Sequence, residues 1–324
     1  MSKILVTGAT GFIGSHLAEM FVESGLEVVA YDRYNSNNDW GWLENSKYRN
    51  DLEVILGDIR DFDSVYNVMK NCETVFHLAA LIGIPYSYVS PIAYIRTNIE
   101  GTYNVLDAAK KLETAQVLIT STSETYGTAQ KIPIKENHPL SGQSPYSATK
   151  ISADQLALSY YLSFGLPVKI VRPFNTYGPR QSARAIIPTI ISQFLNDEKL
   201  INLGNLSPTR DFTFVTDVCK GFFEIYKCND LIGQVTNIGM NKEISIHDLV
   251  FEISKIMGIN PKTAIDKIRI RPNNSEVERL KCDNSKLLGN TSWEPEYSLN
   301  SGLKKTIEWM ESNLNLYKHS IYNV

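Results

Sequence analysis

Gly8, Gly11 and Gly14, in Thr7-Gly8-Ala9-Thr10-Gly11-Phe12-Ile13-Gly14, constrain this chain more than any other feature. They follow the apolar run Ile4-Leu5-Val6 and open a segment with apolar residues at Ile13, Leu17 and Phe21, the spacing of one helix face. Strand, glycine turn and helix in that order are the context of a dinucleotide site. Gly8 permits the tight turn, Gly11 lets backbone approach a pyrophosphate, and Gly14 lets the helix lie close on the strand. The helix N-terminus then offers free N–H groups and a positive dipole end to phosphates. Asp32 follows the next apolar run, Val28-Val29-Ala30-Tyr31, 24 residues beyond Gly8. An acid there hydrogen-bonds the adenosine ribose and repels a 2′-phosphate, which favours NAD over NADP. The adjacent Arg33 could accept such a phosphate and pulls the other way.

The 324 residues, 43% apolar and 21% charged, suit a soluble globular protein with one large or two modest domains. A net charge of −3 offers no basic field for nucleic acid or an anionic membrane. No uninterrupted apolar run is long enough to span a bilayer. The first strand begins so close to Met1 that no signal peptide is expected, and the expected location is the cytoplasm. Cys72, Cys219, Cys228 and Cys282 form no C-x-x-C pair and read as reduced thiols. His16, His77, His138, His247 and His319 show no metal-ligand spacing, so no metal is expected.

Short apolar strands alternate with helical segments through the first half. The expected strands are Ile4–Thr7, Glu27–Tyr31, Glu53–Leu56, Thr74–Leu78, Val117–Thr120 and Val168–Val171. Continuous apolar runs of this kind belong to parallel strands covered on both faces, so the fold class is α/β with a doubly wound parallel sheet. Beyond Pro173 the pattern changes, and turn-rich pieces such as Asn202–Pro208 and Arg271–Ser275 interrupt shorter helices. Ser245-Ile246-His247-Asp248 reads as a capping box that opens a helix with apolar Leu249, Ile253 and Ile256, ended by Gly258. Val235–Gly239 is a further strand candidate, with a pattern that permits its return to the first sheet. The expected division is a cofactor-binding domain over 1–178, rejoined by about 212–240, and a smaller interleaved α/β lobe over 179–211 and 241–324. The polar segment Tyr34–Asn50, with Trp40 and Trp42, is either a lid or a packing anchor.

Tyr146-Ser147-Ala148-Thr149-Lys150 opens a helical segment after Pro145. Residues four apart share a helix face, so the Tyr146 hydroxyl and Lys150 ammonium project together. A nearby cation favours the phenolate and is expected to lower the tyrosine pKa, which suits proton removal from a sugar hydroxyl whose carbon gives up hydride. Asp58 and Ile59 follow the third strand, and His77-Leu78-Ala79-Ala80 ends the fourth, at the carboxyl edge where open α/β sheets bind ligands. Small residues there fit either a flat cofactor or close strand–helix packing.

With Asn98, Arg172-Pro173-Phe174-Asn175-Thr176-Tyr177-Gly178-Pro179-Arg180, and Thr209-Arg210-Asp211-Phe212 with Asp217, these motifs resemble the extended short-chain dehydrogenase/reductase superfamily over essentially the whole chain. Its members of this type are NAD-dependent nucleotide-sugar epimerases and dehydratases. The resemblance implies NAD held by Gly8, Gly11, Phe12, Ile13, Gly14, Asp32, Arg33, Asp58 and Ile59. It further implies contacts from Leu78, Ala79, Ala80, Asn98, Thr120, Tyr146, Lys150 and Pro173. Arg180, Arg210 and Arg271 each lie beside proline, glycine or a turn, where a guanidinium can be held as a fork for phosphate oxygens. By the same likeness Asn175, Arg210 and Arg271 contact a sugar diphosphate. A homodimer joined through Asn98–Lys110 and Tyr146–Tyr161 is also implied.

Ser121-Thr122-Ser123-Glu124-Thr125-Tyr126-Gly127, after the fifth strand, selects among reactions. In the family the residue at Thr122 bonds the sugar O4. The 4,6-dehydratases carry a glutamate where Glu124 stands, which removes the C5 proton once C4 is a ketone. Nucleotide-sugar decarboxylases resemble the same Thr-Ser-Glu pattern, so Glu124 does not separate dehydration from decarboxylation. Ser123 stands where glucose-nucleotide dehydratases often have an aspartate, so Ser123, Glu124 or a water is left as proton donor at C6. As wholes, Asn35–Leu43, Leu81–Ser87, Arg180–Thr189 and Ile321-Tyr322-Asn323-Val324 resemble the N-acetylglucosamine-nucleotide 4,6-dehydratases of bacterial legionaminic-acid synthesis. The expected substrate is therefore GDP-N-acetylglucosamine, then UDP-N-acetylglucosamine. The competing readings are a UDP-hexuronic acid decarboxylase, a 4-epimerase and a non-catalytic NAD-binding regulator.

Overall fold

The computed structural model describes residues 3–196, 200–318 and 321–322, so the expectations resting on His319, Asn323 and Val324 lie outside the described residues. Seven parallel strands form the central sheet. They are β1 (Lys3–Thr7), β2 (Glu27–Arg33), β3 (Leu52–Gly57), β4 (Thr74–His77), β5 (Gln116–Thr120), β6 (Val168–Pro173) and β7 (Val235–Ile238). Their order is β7-β6-β5-β4-β1-β2-β3. The apolar runs alternate between two cores because successive side chains leave a strand on opposite faces. Ile4, Val6, Phe76 and Leu118 pack with Leu17 and Phe21 of helix Phe12–Glu23 and Val218 and Phe222 of helix Val215–Lys227. Leu5, Val75, Val117 and Ile119 face the other core, with Val65, Val105 and Ala157 from helices Phe62–Met69, Gly101–Lys111 and Pro145–Phe164. The sheet is thus doubly wound, and its strand order reverses between β1 and β4. The crevice at their carboxyl ends is where such sheets bind ligands.

The glycine turn borders that crevice. Gly8 has φ +70°, and a Cβ on it would stand 2.8 Å from the Ala79 backbone nitrogen at the end of β4. A Cβ on Gly14 would overlap the Gly8 carbonyl oxygen, so helix Phe12–Glu23 can lie this close to β1 only with glycine there. Gly14→Ala is expected to cost about 1–3 kcal/mol through overpacking against backbone that cannot move aside. A lowered urea midpoint at unchanged slope reads this effect, and an unchanged midpoint contradicts it.

A third core lies apart from the two that cover the central sheet. Helices Ile186–Leu195, Ile246–Met257 and Leu299–Ser312 enclose Ile190, Leu249, Ile253 and Leu303. Ser245 accepts from the Asp248 N–H at 3.0 Å, and Gly258, at φ +70°, ends that helix. The turn reading of Asn202–Pro208 needs correction at its start. Asn202 and Leu203 lie in strand Leu200–Leu203, parallel to Lys262–Ile265, because Ile201 and Leu203 alternate into the third core. Strand β4 stops at His77 instead of Leu78, and β6 runs on through Pro173. Trp40 packs on the first core, and Trp42 meets the Trp309 ring edge-on at 5.5 Å, so both tryptophans anchor their segment. Among the described residues no helix is long and apolar enough to cross a membrane.

Candidate active site

The dinucleotide cradle passes a simple fit test. No side chain caps helix Phe12–Glu23, and no acid lies in its first turn, so its N-terminus is free to receive an anion. Asp32, at the end of β2, is partly engaged. It accepts from the Thr10 N–H at 2.8 Å and the Thr10 hydroxyl at 2.7 Å, which pins the glycine turn to β2. Arg33 pairs with Gly57 across the strands. Asp58 accepts the Arg60 guanidinium, which holds its carboxyl below the usual range. The Ile59 carbonyl accepts from Asn104 at 2.9 Å. The Thr120 hydroxyl is buried without a partner, next to the turn that carries Thr122.

Tyr146 and Lys150 are brought together in the first turns of helix Pro145–Phe164, which begins with a reciprocal Ser144–Ser147 capping box. Both are almost fully buried, at 7% and 5% exposure. Burial pushes the Tyr146 hydroxyl well above its ordinary value, against a hydrogen bond with Thr122 that lowers it, while Glu124, Tyr94 and Asp154 raise it. The expectation that Lys150 brings Tyr146 down therefore gives way to burial. Lys150 is itself pulled down to about 8 by burial, with Asp154 opposing. Thr122 stands at the start of the helical turn Ser123–Tyr126 and accepts from the Glu124 N–H at 3.2 Å. Ser123 is buried, and the charge of Glu124 reaches both Tyr146 and Arg210.

A directed hydrogen-bond chain joins the cofactor strand to the Tyr146 helix. The Thr102 hydroxyl donates to the Asn98 carbonyl at 2.7 Å, so it must accept from His77 Nε2 at 3.1 Å. His77 Nδ1 is then an acceptor for the Thr7 hydroxyl at 2.8 Å, and Thr7 in turn accepts from the Ala79 N–H. His77 is neutral, pushed down to about 3 by burial and by Lys150. Asn98 lies on a π-helical segment, Ile95–Glu100, and bonds both the Leu81 N–H and the Leu81 carbonyl. It also donates to the Thr149 hydroxyl, which donates to the Tyr146 carbonyl. Leu78, Ala79 and Ala80 thus lead into a segment fastened at Leu81. That segment, with Gly83, Tyr86, Tyr94 and Arg184, lines a cavity, and Tyr94 meets the Tyr146 ring edge-on.

Cations come from the chain beyond β6. Arg210, 6% exposed, donates to Glu276 at 3.2 Å, and Arg271 pairs with the same carboxylate at 3.5 Å. Burial pulls Arg210 down, Arg271 adds to this, and Glu124 and Glu276 oppose it. Asn175 Oδ1 is buried without a hydrogen-bond partner, and Arg271 Nη1 has only its 3.5 Å ion pair with Glu276, so both leave room for a polar ligand. Arg180 is placed elsewhere. Its guanidinium donates to Ser15 and Glu19, both at 3.0 Å, so it is tied to helix Phe12–Glu23 and is not gathered with Arg210 and Arg271. Glu276, Asp154 and the His77 chain were not singled out in the sequence. Only Asp154 carried a local signal, one helical turn beyond Lys150.

Residues 5–306 match the GDP-mannose 4,6 dehydratase family. The chain belongs to that family. The UDP-N-acetyl-alpha-D-glucosaminuronate decarboxylase of Bacillus cytotoxicus is 33% identical over 95% of this chain and 97% of its own. The UDP-glucuronate 4-epimerase of Thermodesulfobacterium geofontis is 30% identical over 98% and 99%. The dTDP-glucose 4,6-dehydratase DesIV of Streptomyces venezuelae, solved with NAD bound, superposes with a TM-score of 0.88 at 26% identity, covering 98% of this chain and 99% of that one. Three reactions share this NAD-dependent nucleotide-sugar family, and the cofactor of the present member is NAD.

Proposed function

We propose that this protein is an NAD-dependent nucleotide-sugar 4,6-dehydratase. The observation that carries the reading over a 4-epimerase is Glu124, two residues beyond Thr122 with its charge reaching Tyr146 and Arg210, and the likeness of the substrate stretches favours it over a decarboxylase. Thr122 orients the C4 hydroxyl, and Tyr146 removes its proton. NAD bound in the glycine cradle supplies the acceptor and later the source of hydride, and its cationic ring favours the phenolate. Glu124 takes the proton from C5 beside the new ketone and passes it to the departing C6 hydroxyl, so one water leaves. A solvent proton returns to C5 as hydride reaches C6. The cycle is redox-neutral.

The substrate we propose is GDP-N-acetylglucosamine, with UDP-N-acetylglucosamine next, as in legionaminic-acid synthesis. Support comes from the likeness of Leu81–Ser87 and Arg180–Thr189, since Leu81, Gly83, Tyr86 and Arg184 of these stretches meet at one cavity beside Tyr94. Arg210, Arg271 and Asn175 are the diphosphate ligands in this reading, and Asp32, Asp58 and the Ala79–Ala80 backbone hold the cofactor. We also propose a cytoplasmic homodimer. Exposed Tyr103, Leu162 and Phe164, on or beside the two helices named for that contact, favour it. Arg210→Met is expected to raise KM about 10- to 100-fold with kcat nearly kept, the loss of a charged hydrogen bond made equally before and during reaction. An unchanged KM removes Arg210 from the diphosphate site.

Mass spectrometry after incubation with GDP- and UDP-N-acetylglucosamine and UDP-glucuronic acid tests the assignment. Loss of water from an acetamido sugar supports it. Loss of carbon dioxide from the uronic acid makes the protein a decarboxylase, and an isomer of unchanged mass makes it an epimerase.

A further inference from the structure

Asp154 lies one helical turn beyond Lys150 and is fully buried. Its Oδ2 accepts the Ser121 hydroxyl at 2.7 Å, Arg172 Nη2 at 2.7 Å and Arg172 Nε at 3.1 Å, while Oδ1 has no partner. An arginine that served only to neutralise this acid would grip both oxygens with its fork. Here three donors crowd one oxygen and the other keeps its lone pairs. Ser121 directly precedes Thr122, and Arg172 comes from β6, so one carboxylate ties the Thr122 loop, β6 and the Tyr146 helix together.

We propose that Asp154 is a positioning residue that holds Lys150 protonated beside Tyr146 and fastens the Thr122 loop to the same helix. The charges around Lys150 leave that task to Asp154. On its own helix stand Tyr146 and Asp154. From β4 comes His77, which is neutral. The loop after β5 brings Glu124, which faces Tyr146 and Arg210, and β6 brings Arg172, a second cation that lies over the Tyr126 ring. Without Asp154 the Arg172 guanidinium it binds and the buried Lys150 would both lose this anion, and Lys150 would shed its proton. The inference rests on the reading that Tyr146 and Lys150 carry the proton chemistry.

The test is the titration of Lys150 by NMR of the NAD-bound enzyme carrying lysine labelled with carbon-13 at Cε, with Lys150→Met to assign the signal. The native midpoint is expected near 8, where burial against Asp154 sets it. Asp154→Asn lowers it by about one unit or more. Arg172→Met, which frees the carboxylate from its cation, raises it and serves if Asp154→Asn does not fold. Ser121→Ala removes a bond from the same oxygen but no charge, and leaves the midpoint in place. A midpoint that stays unmoved in Asp154→Asn, or in Arg172→Met, overturns the proposal. The titration needs no sugar, so it stands or falls apart from the reaction assignment, whereas undiminished turnover in Tyr146→Phe would remove the catalytic reading alone. In turnover, activity that needs protonated Lys150 falls as pH rises through about 8, and Asp154→Asn moves this fall to lower pH.

Discussion

Tyr146→Phe is expected to lower kcat by about 10²- to 10⁴-fold, the contribution of a positioned proton acceptor. The loss should be confined to chemistry. The ring packs edge-on against Tyr94 at 6.3 Å, and phenylalanine keeps that contact. What disappears is the hydroxyl and its hydrogen bond with Thr122. Burial, which holds the proton on Tyr146, is itself relieved when the polar group goes, so stability should hold or rise slightly. Steady-state rates beside thermal melts check both halves. A melting point that collapses with kcat would mark Tyr146 as structural, and an unaltered kcat would dismiss it as the acceptor.

Glu124→Gln separates the two halves of the reaction. Glutamine keeps the shape and the backbone turn that Thr122 caps, since that bond runs to the Glu124 N–H and not to its carboxylate. Removing the base should reduce water loss by about 10²- to 10⁴-fold. Oxidation at C4 belongs to Tyr146 and should persist, visible as substrate-dependent reduction of the bound cofactor. Substrate deuterated at C5 should then keep its label in Glu124→Gln while losing it in the native enzyme. Wash-out of that label at the native rate would show that another group removes the C5 proton.

The parts legible in the sequence are those whose chemistry is local. The glycine turn could be read because the Cβ a larger residue would add collides with neighbouring backbone, which leaves glycine as the residue type that fits. The central strands could be read because burial on both faces leaves continuous apolar runs, and their edges moved by only a residue or two. Tyr146 and Lys150 could be paired because helix geometry places residues four apart on one face. Strand Leu200–Leu203 escaped because a polar Asn202 within a short segment resembles a turn until its neighbours are seen to alternate into a core. Arg180 had the flanking proline and glycine of a phosphate ligand. Its engagement with Ser15 and Glu19, more than 160 positions away, is a tertiary contact that no local pattern announces. The same holds for the His77 chain, whose proton order follows from three threonine and asparagine partners on separate elements. Fold and motif were local properties, whereas the environment that tunes each group was not.

The central claim is that hydride leaves C4 and returns to C6 of one sugar within one turnover. It is tested most directly with GDP-N-acetylglucosamine carrying deuterium at C4, followed by NMR of the product. The account predicts a 4-keto sugar with the deuterium in its new C6 methyl group. Deuterium still at C4 of a sugar of unchanged mass would contradict it and leave a 4-epimerase.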